Sequence, residues 1–406
     1  VLFRSLIMAN NRIFYACQAV GLKPMGSAKA SYKVAHGVQS VGITTNFNLE
    51  QAFELGQVQI YENIEGLPDV ECTMEKVLDG YPLLYHLASQ TAASAGLVGR
   101  SKERADVALG IHSDDQDSVN DNQALGAAVT VFMSGMFINS ISYTVPVDGN
   151  STESITLVGN HKEWFKQSEV NAVYVSHKKF VVPANTFGTG DGSADYPLAY
   201  EGGSGGVQRR ENVLLHKSVM PRSMFGNLDG NILGAEGVGN AIGGAAVTGI
   251  PLLHIQNFST STDFGREDIL EFGRKAPYTR TPTFPIEVST EIEAIAISGD
   301  FVGAYEDGSP DLFATNASGD NTQEEQIVLT MKGGMSFDLG TNNRLSSVSY
   351  GGGDAAGGNA TITYSYTNFN ELTVLDSGDP ALSQNGGGGG MNYSATQSGY
   401  LGMTGG

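Results

Sequence analysis

The sequence predicts a mainly β protein: a barrel or sandwich domain with a short flanking helix, written twice and interrupted by a glycine-rich insertion. Three observations carry this. Of 406 residues 53 are glycine and 16% are charged, against about 7% glycine and about 25% charge in ordinary globular chains; this is a composition of turns and strands, not of helical bundles. Apolar and polar residues alternate at Val70–Glu75 and at Ile286–Glu293, which marks strands with one buried and one wet face. Finally, a long stretch near the start recurs in the second half.

That recurrence sets the domain organisation. VQSVGITTNFNLEQAFELGQVQIY, from Val38, aligns without gaps on IQNFSTSTDFGREDILEFGRKAPY, from Ile255. Gln39 meets Gln256, Asn46-Phe47 meets Asp263-Phe264, Glu50 meets Glu267, Gly56 meets Gly273 and Tyr61 meets Tyr278. With a shift of one residue, Glu71, Thr73 and Glu75 meet Glu287, Ser289 and Glu291. A weaker match follows: Val129–Val131 with Leu329–Met331, Ile141–Tyr143 with Val348–Tyr350, and Gly149-Asn150 with Gly358-Asn359. The expected domains are an N-terminal arm over 1–35, a first β domain over 36–164, an insertion and linker over 165–253, a second β domain over 254–375 and a flexible glycine-rich tail over 376–406. Residues 1–7 (VLFRSLI) read as non-native, because VLFRS is what a common sequencing adapter encodes.

Within each copy the elements follow in order. Asn46 and Asp263 suit a helix N-cap, Glu50 and Glu267 its first turn, and Gly56 and Gly273 its left-handed stop; one or two helical turns are expected there, with Gln51–Leu55 and Leu83–Thr91 the best helical patches. The strand of Glu71 and Glu75 comes next, matched by that of Glu287, Glu291 and Glu293. FINSISYTVPV, a turn at Asp148–Asn150 and SITLVGN form a hairpin, and LSSVSY with NATITYSY forms its counterpart. Trp164, the only tryptophan, is expected to plug the edge of the first domain. The insertion carries glycine clusters around an apolar strand-like piece, Val170–Val182.

Charge and motifs exclude most chemistry. Forty-three acids against 23 bases give a net charge of −20, which repels phosphate backbones and anionic membranes. The longest uncharged apolar stretch, Leu125–Ile138, is short of the ~20 residues of a membrane-spanning helix. Cys17 and Cys72 make no disulfide framework and no zinc-ligand spacing, so synthesis in a reducing compartment is the simplest reading. Gly237–Gly243 misses the dinucleotide-binding spacing. Gly202–Gly206 matches the GxSxG pattern around Ser204 only within low-complexity sequence. His112–Asn122 begins a calcium-loop spacing at Asp115 and Asp117 but puts Val119 at the next ligand position. No catalytic residue, metal site or cofactor is expected. The acidic stripe remains: Glu71, Glu75, Glu287, Glu291 and Glu293, either an ordinary solvated sheet face or a negative wall lining a channel.

The blocks FNLEQAFELGQVQIYENIEGLPDVECTMEKVLDGYPLLYHLA, SISYTVPVDGNSTESITLVGNHKEW and DFGREDILEFGRKAPYTRTPTFPIEVSTEIEAIAISGD resemble bacteriophage tail tube and related virion structural proteins. The resemblance covers both copies but neither the insertion nor the tail. It implies a tail-tube-like β domain with a flanking helix, whose strands join those of neighbours to line a lumen. Rings of six domains, here closed by three duplicated chains with pseudo-sixfold symmetry, would stack into a tube. Partners would be further copies of the chain and other tail proteins, with DNA passing through unbound. The five glutamates would line the lumen, and the location would be the virion, after synthesis in the bacterial cytoplasm. A capsid decoration, a baseplate component and a non-phage filament subunit are the alternatives.

Overall fold

The computed structural model describes residues 12–25, 33–56, 58, 60–79, 82–89, 96–112, 129–166, 207–216, 221, 224, 254–296, 302–304, 310–311, 325–331, 335–353, 358–375 and 400–401. Residues 1–7, Val170–Val182, Ser204, the glycine string at Gly237, the acidic tract beyond His112 and the tail glycines lie outside them.

The protein is mainly β. The first half holds β1 (Gln18–Pro24), β2 (Lys33–Val34), β3 (Val38–Asn46), β4 (Leu49–Phe53), β5 (Ile60–Glu65), β6 (Asp69–Val77), α1 (Leu84–Ala88), α2 (Leu97–Arg100), β7 (Arg104–Ile111), β8 (Val129–Pro146), β9 (Thr152–Gly159) and β10 (Lys162–Lys166). After it come β11 (Val213–His216), β12 (Ile255–Asp263), β13 (Glu267–Ile269), β14 (Thr279–Thr281), β15 (Glu287–Ile295), β16 (Gly303–Ala304), β17 (Pro310–Asp311), β18 (Val328–Met331), β19 (Met335–Asp338), β20 (Arg344–Gly351), β21 (Thr361–Phe369), β22 (Thr373–Leu375) and β23 (Tyr400–Leu401).

The strand β8 organises the molecule. Its C-terminal half, Ser140–Pro146, pairs with β9 on one side and with β12 on the other. The result is one antiparallel run, β3-β6-β9-β8-β12-β15-β21-β20, within a 12-stranded sheet. Its N-terminal half turns away at Gly135, φ 69°, and pairs with β7 and β10. A left-handed backbone suits glycine, which has no Cβ to clash. The buried Asp106 of β7, opposite the bulge that Ser134 and Gly135 make in β8, fixes this bend: its carboxylate accepts hydrogen bonds from Gly135 N at 3.0 Å and Ser134 Oγ at 2.8 Å and faces Lys23 Nζ at 3.4 Å. β1, in the segment read as an arm, pairs with β7 along its whole length.

Two strand orders run alike. In the first half β3-β6-β9-β8 is succeeded beyond the bend by β10-β8-β7-β1; in the second, β12-β15-β21-β20 is accompanied by a five-stranded sheet, β22-β19-β18-β11-β23. The β3–β6 pairing is irregular between Val38 and Ser40 and the β12–β15 pairing between Ile255 and Asn257. The β8–β9 pairing is irregular between Ile138 and Ser140, and the β20–β21 pairing between Leu345 and Ser347. Val129–Val131 and Leu329–Met331 take different places, the former in β8 and the latter in β18. One buried apolar cluster draws on both halves, from Val20 and Leu22 to Tyr366 and Val374. Tyr143 of β8 meets Phe337 of β19 with ring centroids 4.7 Å apart.

The expected helix over Gln51–Leu55 is a strand instead, the β4–β5 hairpin. Asn46 and Asp263 do not cap helices. They close turns of the kind asparagine and aspartate make two residues on, accepting from Asn48 N at 3.2 Å and from Gly265 N at 2.9 Å. Asn48 and Gly265 have φ of 46° and 49°, and Gly56 and Gly273 have φ of 94° and 80°. The flanking helix is α1, inside the Leu83–Thr91 patch. Trp164 lies on β10 opposite Val131 of β8 and is 53% exposed, so it is not a buried plug.

Candidate functional site

The five glutamates fall on one surface. In β6, Val70, Cys72 and Met74 face the core while Glu71, Thr73 and Glu75 are exposed. In β15, Val288 and Ile292 are buried, Glu287 and Glu291 are exposed, and Glu293 is partly exposed. Both strands belong to the same run, so both acidic rows lie on its coreless face. Four inter-strand steps separate the rows, roughly 19 Å at ~4.8 Å per step, and Glu71 and Glu75 stand about 13 Å apart along β6. At such spacings the two rows repel one another weakly in salt, where screening acts over about 8–10 Å, whereas Glu291 and Glu293, two residues and roughly 7 Å apart on β15, repel more strongly.

What lies between them is short and hydroxylated. Glu71 is flanked by Thr44 and Val158, Glu75 by Ser40 and Ser154. Glu291 is flanked by Ser259 and Ser365, and Glu293 by Asn257 and Thr363. Ser140, Ser142 and Thr144 of β8 lie opposite Asp263, Ser261 and Ser259 of β12 on the same face. Among the described residues of these strands, Arg344 at the start of β20 is the one base that shares it, since Lys76 of β6 is buried and donates to Asp79 Oδ1 and His36 O, both at 2.6 Å. The sequence reading singled out the glutamates and missed the hydroxyl ground around them. The signal was present as the serines and threonines of SISYT, STSTD and TITYSYT.

The opposite face holds the charges that build the fold. Glu153 of β9 is fully buried, and its carboxylate accepts hydrogen bonds from Leu84 N at 2.7 Å, Tyr85 N at 3.0 Å and the Tyr143 hydroxyl at 3.1 Å. Burial pushes this carboxyl above its ordinary value, while the two amides and nearby Lys76 and His86 act the other way. Cys17 and Cys72 are buried free thiols, and burial pushes Cys72 up to about 12. Groups of three or more metal-ligating side chains do not occur among the described residues, and no described helix is long and apolar enough to cross a membrane.

Cations lock the joint between the halves. Arg266 donates to Ile138 O at 2.5 Å and Ser101 O at 2.7 Å and lies over the rings of Phe137 and Phe264, at 4.8 and 5.3 Å. Its burial, helped by the charge of Arg280, lowers it to about 10. Arg280 of β14 reaches Asp69 at 2.7 Å and Asp268 at 2.6 Å. Beside the joint, the β4–β5 hairpin and the loop after β13 carry fully exposed apolar side chains, Leu55, Val58 and Phe272.

No family model matches the chain, and no curated protein matches it in sequence. Solved structures do show a partial likeness. The anti-feeding prophage cap, the tube-terminating cap of that particle, aligns at 12% identity with a TM-score of 0.28, covering 39% of this chain and 93% of its own. A sheath-tube complex of an extracellular contractile injection system, PVC, in its extended state aligns at 13% with a TM-score of 0.29, covering 41% and 99%. The anti-feeding prophage baseplate aligns at 10% with a TM-score of 0.30, covering 39% and 99%. A likeness of this size leaves the role of the chain to be argued from its own surface.

Proposed function

We propose that the chain is a structural subunit of a phage-type tail tube, self-assembling into stacked rings around an acidic-lined conduit for DNA. The observation that supports this best is the continuous exposed face of the run from β3 to β20, whose described strand residues pave it with hydroxyls and carboxylates and put one base at its margin. Specific or tight DNA binding needs lysine and arginine on phosphates. A wall that repels phosphate and offers only short side chains lets a polyanion slide. The glutamates Glu71, Glu75, Glu287, Glu291 and Glu293 are its lumen residues on this reading.

The repeated strand order and the matching irregularities support two copies of one tube domain in the chain, so three chains supply the six domains of a ring with threefold symmetry. Rings of this kind close through heterologous contacts. The fully exposed Leu55, Val58 and Phe272 at the hairpin and loop tips are suited to meeting the next ring, where they leave water. The chain acts without catalysis or cofactor, beside other tail proteins in the virion.

The test is to replace the five glutamates by lysine. None of them packs in the core, so rods are expected to form as before, and short duplex DNA that passes the parent tubes unretained is expected to stay with the variant and leave as salt is raised. Rods of the variant that ignore DNA at low salt would overturn the lumen assignment.

A further inference from the structure

Among the described residues the run of strands ends in two strands with a single partner each, β3 and β20, and the chain contains a joint of its own that shows how such edges meet. Inside the chain, β8 joins β12 in antiparallel register, with Ile141 opposite Thr262, Ser142 opposite Ser261 and Tyr143 opposite Thr260. At the ends of the run, among the described residues, β3 pairs only with β6 and β20 only with β21. The sequence alignment makes β3 the equivalent of β12, and β20 that of the second half of β8. The irregularities at Val38/Ser40 and Ile255/Asn257, and at Ile138/Ser140 and Leu345/Ser347, fix both equivalences to the residue.

Exposure then separates the two situations. Phe264 is fully buried at the internal joint and its equivalent Phe47 is 63% exposed; Tyr143 is fully buried and its equivalent Tyr350 is 53% exposed. Phe258 is buried while Val41 is half-buried. Side chains that the internal joint covers are uncovered at the open edges, at the same positions and on the same face.

We infer that β20 of one chain adds to β3 of a second copy in the register of the internal joint, placing Thr45 opposite Val348, Thr44 opposite Ser349 and Ile43 opposite Tyr350. This rests on the self-assembly proposed above and names its contact. Strand addition supplies main-chain hydrogen bonds to both edges and removes two sites of uncontrolled pairing. The two joints differ in one respect. Arg266 and Arg280 have Leu49 and Asn63 as equivalents, and Leu49 is 64% exposed. The internal joint is tied by the guanidinium groups of Arg266 and Arg280, whereas the joint between chains carries a leucine and an asparagine at those two positions.

Paired cysteines test the register in the full chain. Ser142→Cys with Ser261→Cys is the internal control and is expected to close a disulfide within one chain on oxidation. Thr44→Cys with Ser349→Cys is expected to link separate chains, shifting the denatured, non-reduced protein to multiples of the single-chain mass. Thr44→Cys with Ser347→Cys, out of register, is expected to stay at the single-chain mass. Disulfides require Cβ atoms about 3.5–4.5 Å apart, so a slip of two residues abolishes the link. Hollow rods that lack the Thr44–Ser349 link while the internal control closes, or that link equally out of register, would overturn the inference and leave the tube reading standing. Protein that forms neither rods nor links would overturn both.

Discussion

At the scale of single residues, burial divides the acids into two kinds. Glu153 is sealed beneath the sheet and holds the start of α1 through the amides of Leu84 and Tyr85. Glutamine there keeps the shape but turns an NH2 group toward one of these donors. An unsatisfied buried donor costs about 1–3 kcal/mol, and Glu153→Gln is expected to lose that much in urea unfolding. The pH dependence has a definite sign. Because burial holds the folded-state value above the ordinary 4.5, the folded state binds the proton more tightly than the unfolded one. This carboxyl's contribution is full below the unfolded value and is lost as pH rises through the raised folded one. Across that window the variant should show a flatter decline than the parent, and an unchanged slope would assign the decline to other groups. Of the two kinds, the sequence disclosed the exposed one: a period of two puts Glu71 and Glu75 on the wet face of β6. Glu153 also sits in an alternating strand, but its parity places it inside, where only the three-dimensional partners explain a carboxylate.

At the scale of elements, the strands and hairpins were legible where alternation was long, and the misread segment shows why local signals are ambiguous. Asparagine, aspartate and glycine at Asn46, Asp263, Gly56 and Gly273 serve a helix start and stop, and they serve turns equally well, since both need a side-chain acceptor and a left-handed residue. The β4–β5 partners across the turn decided for a hairpin. The role of β8 was not legible: a bend held by Asp106 and Gly135 lets one strand serve two sets of partners, β7 and β10 with its first half and β9 and β12 with its second, and nothing in the local sequence states which strands will flank each half. The joint between β8 and β12 gives an element-scale prediction. Phe264→Ala empties a buried site and is expected to cost about 3–5 kcal/mol in unfolding of the single chain. Phe47→Ala removes an exposed ring and is expected to stay within about 0.5 kcal/mol while reducing the yield of rods in a sedimentation assay. Equal loss of stability in both variants would contradict the difference between a filled joint and an open one.

At the scale of the whole molecule, the composition acquires a spatial meaning. The net charge of −20 argued at the outset only against nucleic-acid binding, and the fold gathers part of that charge on one smooth face while the arginines Arg266 and Arg280 are spent on the joint behind it. Among the described residues the chain has one large buried apolar cluster, two terminal strands with a single partner each and an exposed sheet face, and the proposed function is that copies of the chain continue this sheet. The most direct test is cryo-electron microscopy of the purified full chain. The expected result is hollow rods of stacked three-chain rings with Glu71, Glu75, Glu287, Glu291 and Glu293 facing the lumen. Rods that carry those glutamates on the outer surface or between subunits, or a preparation of uniform monomers, would contradict it.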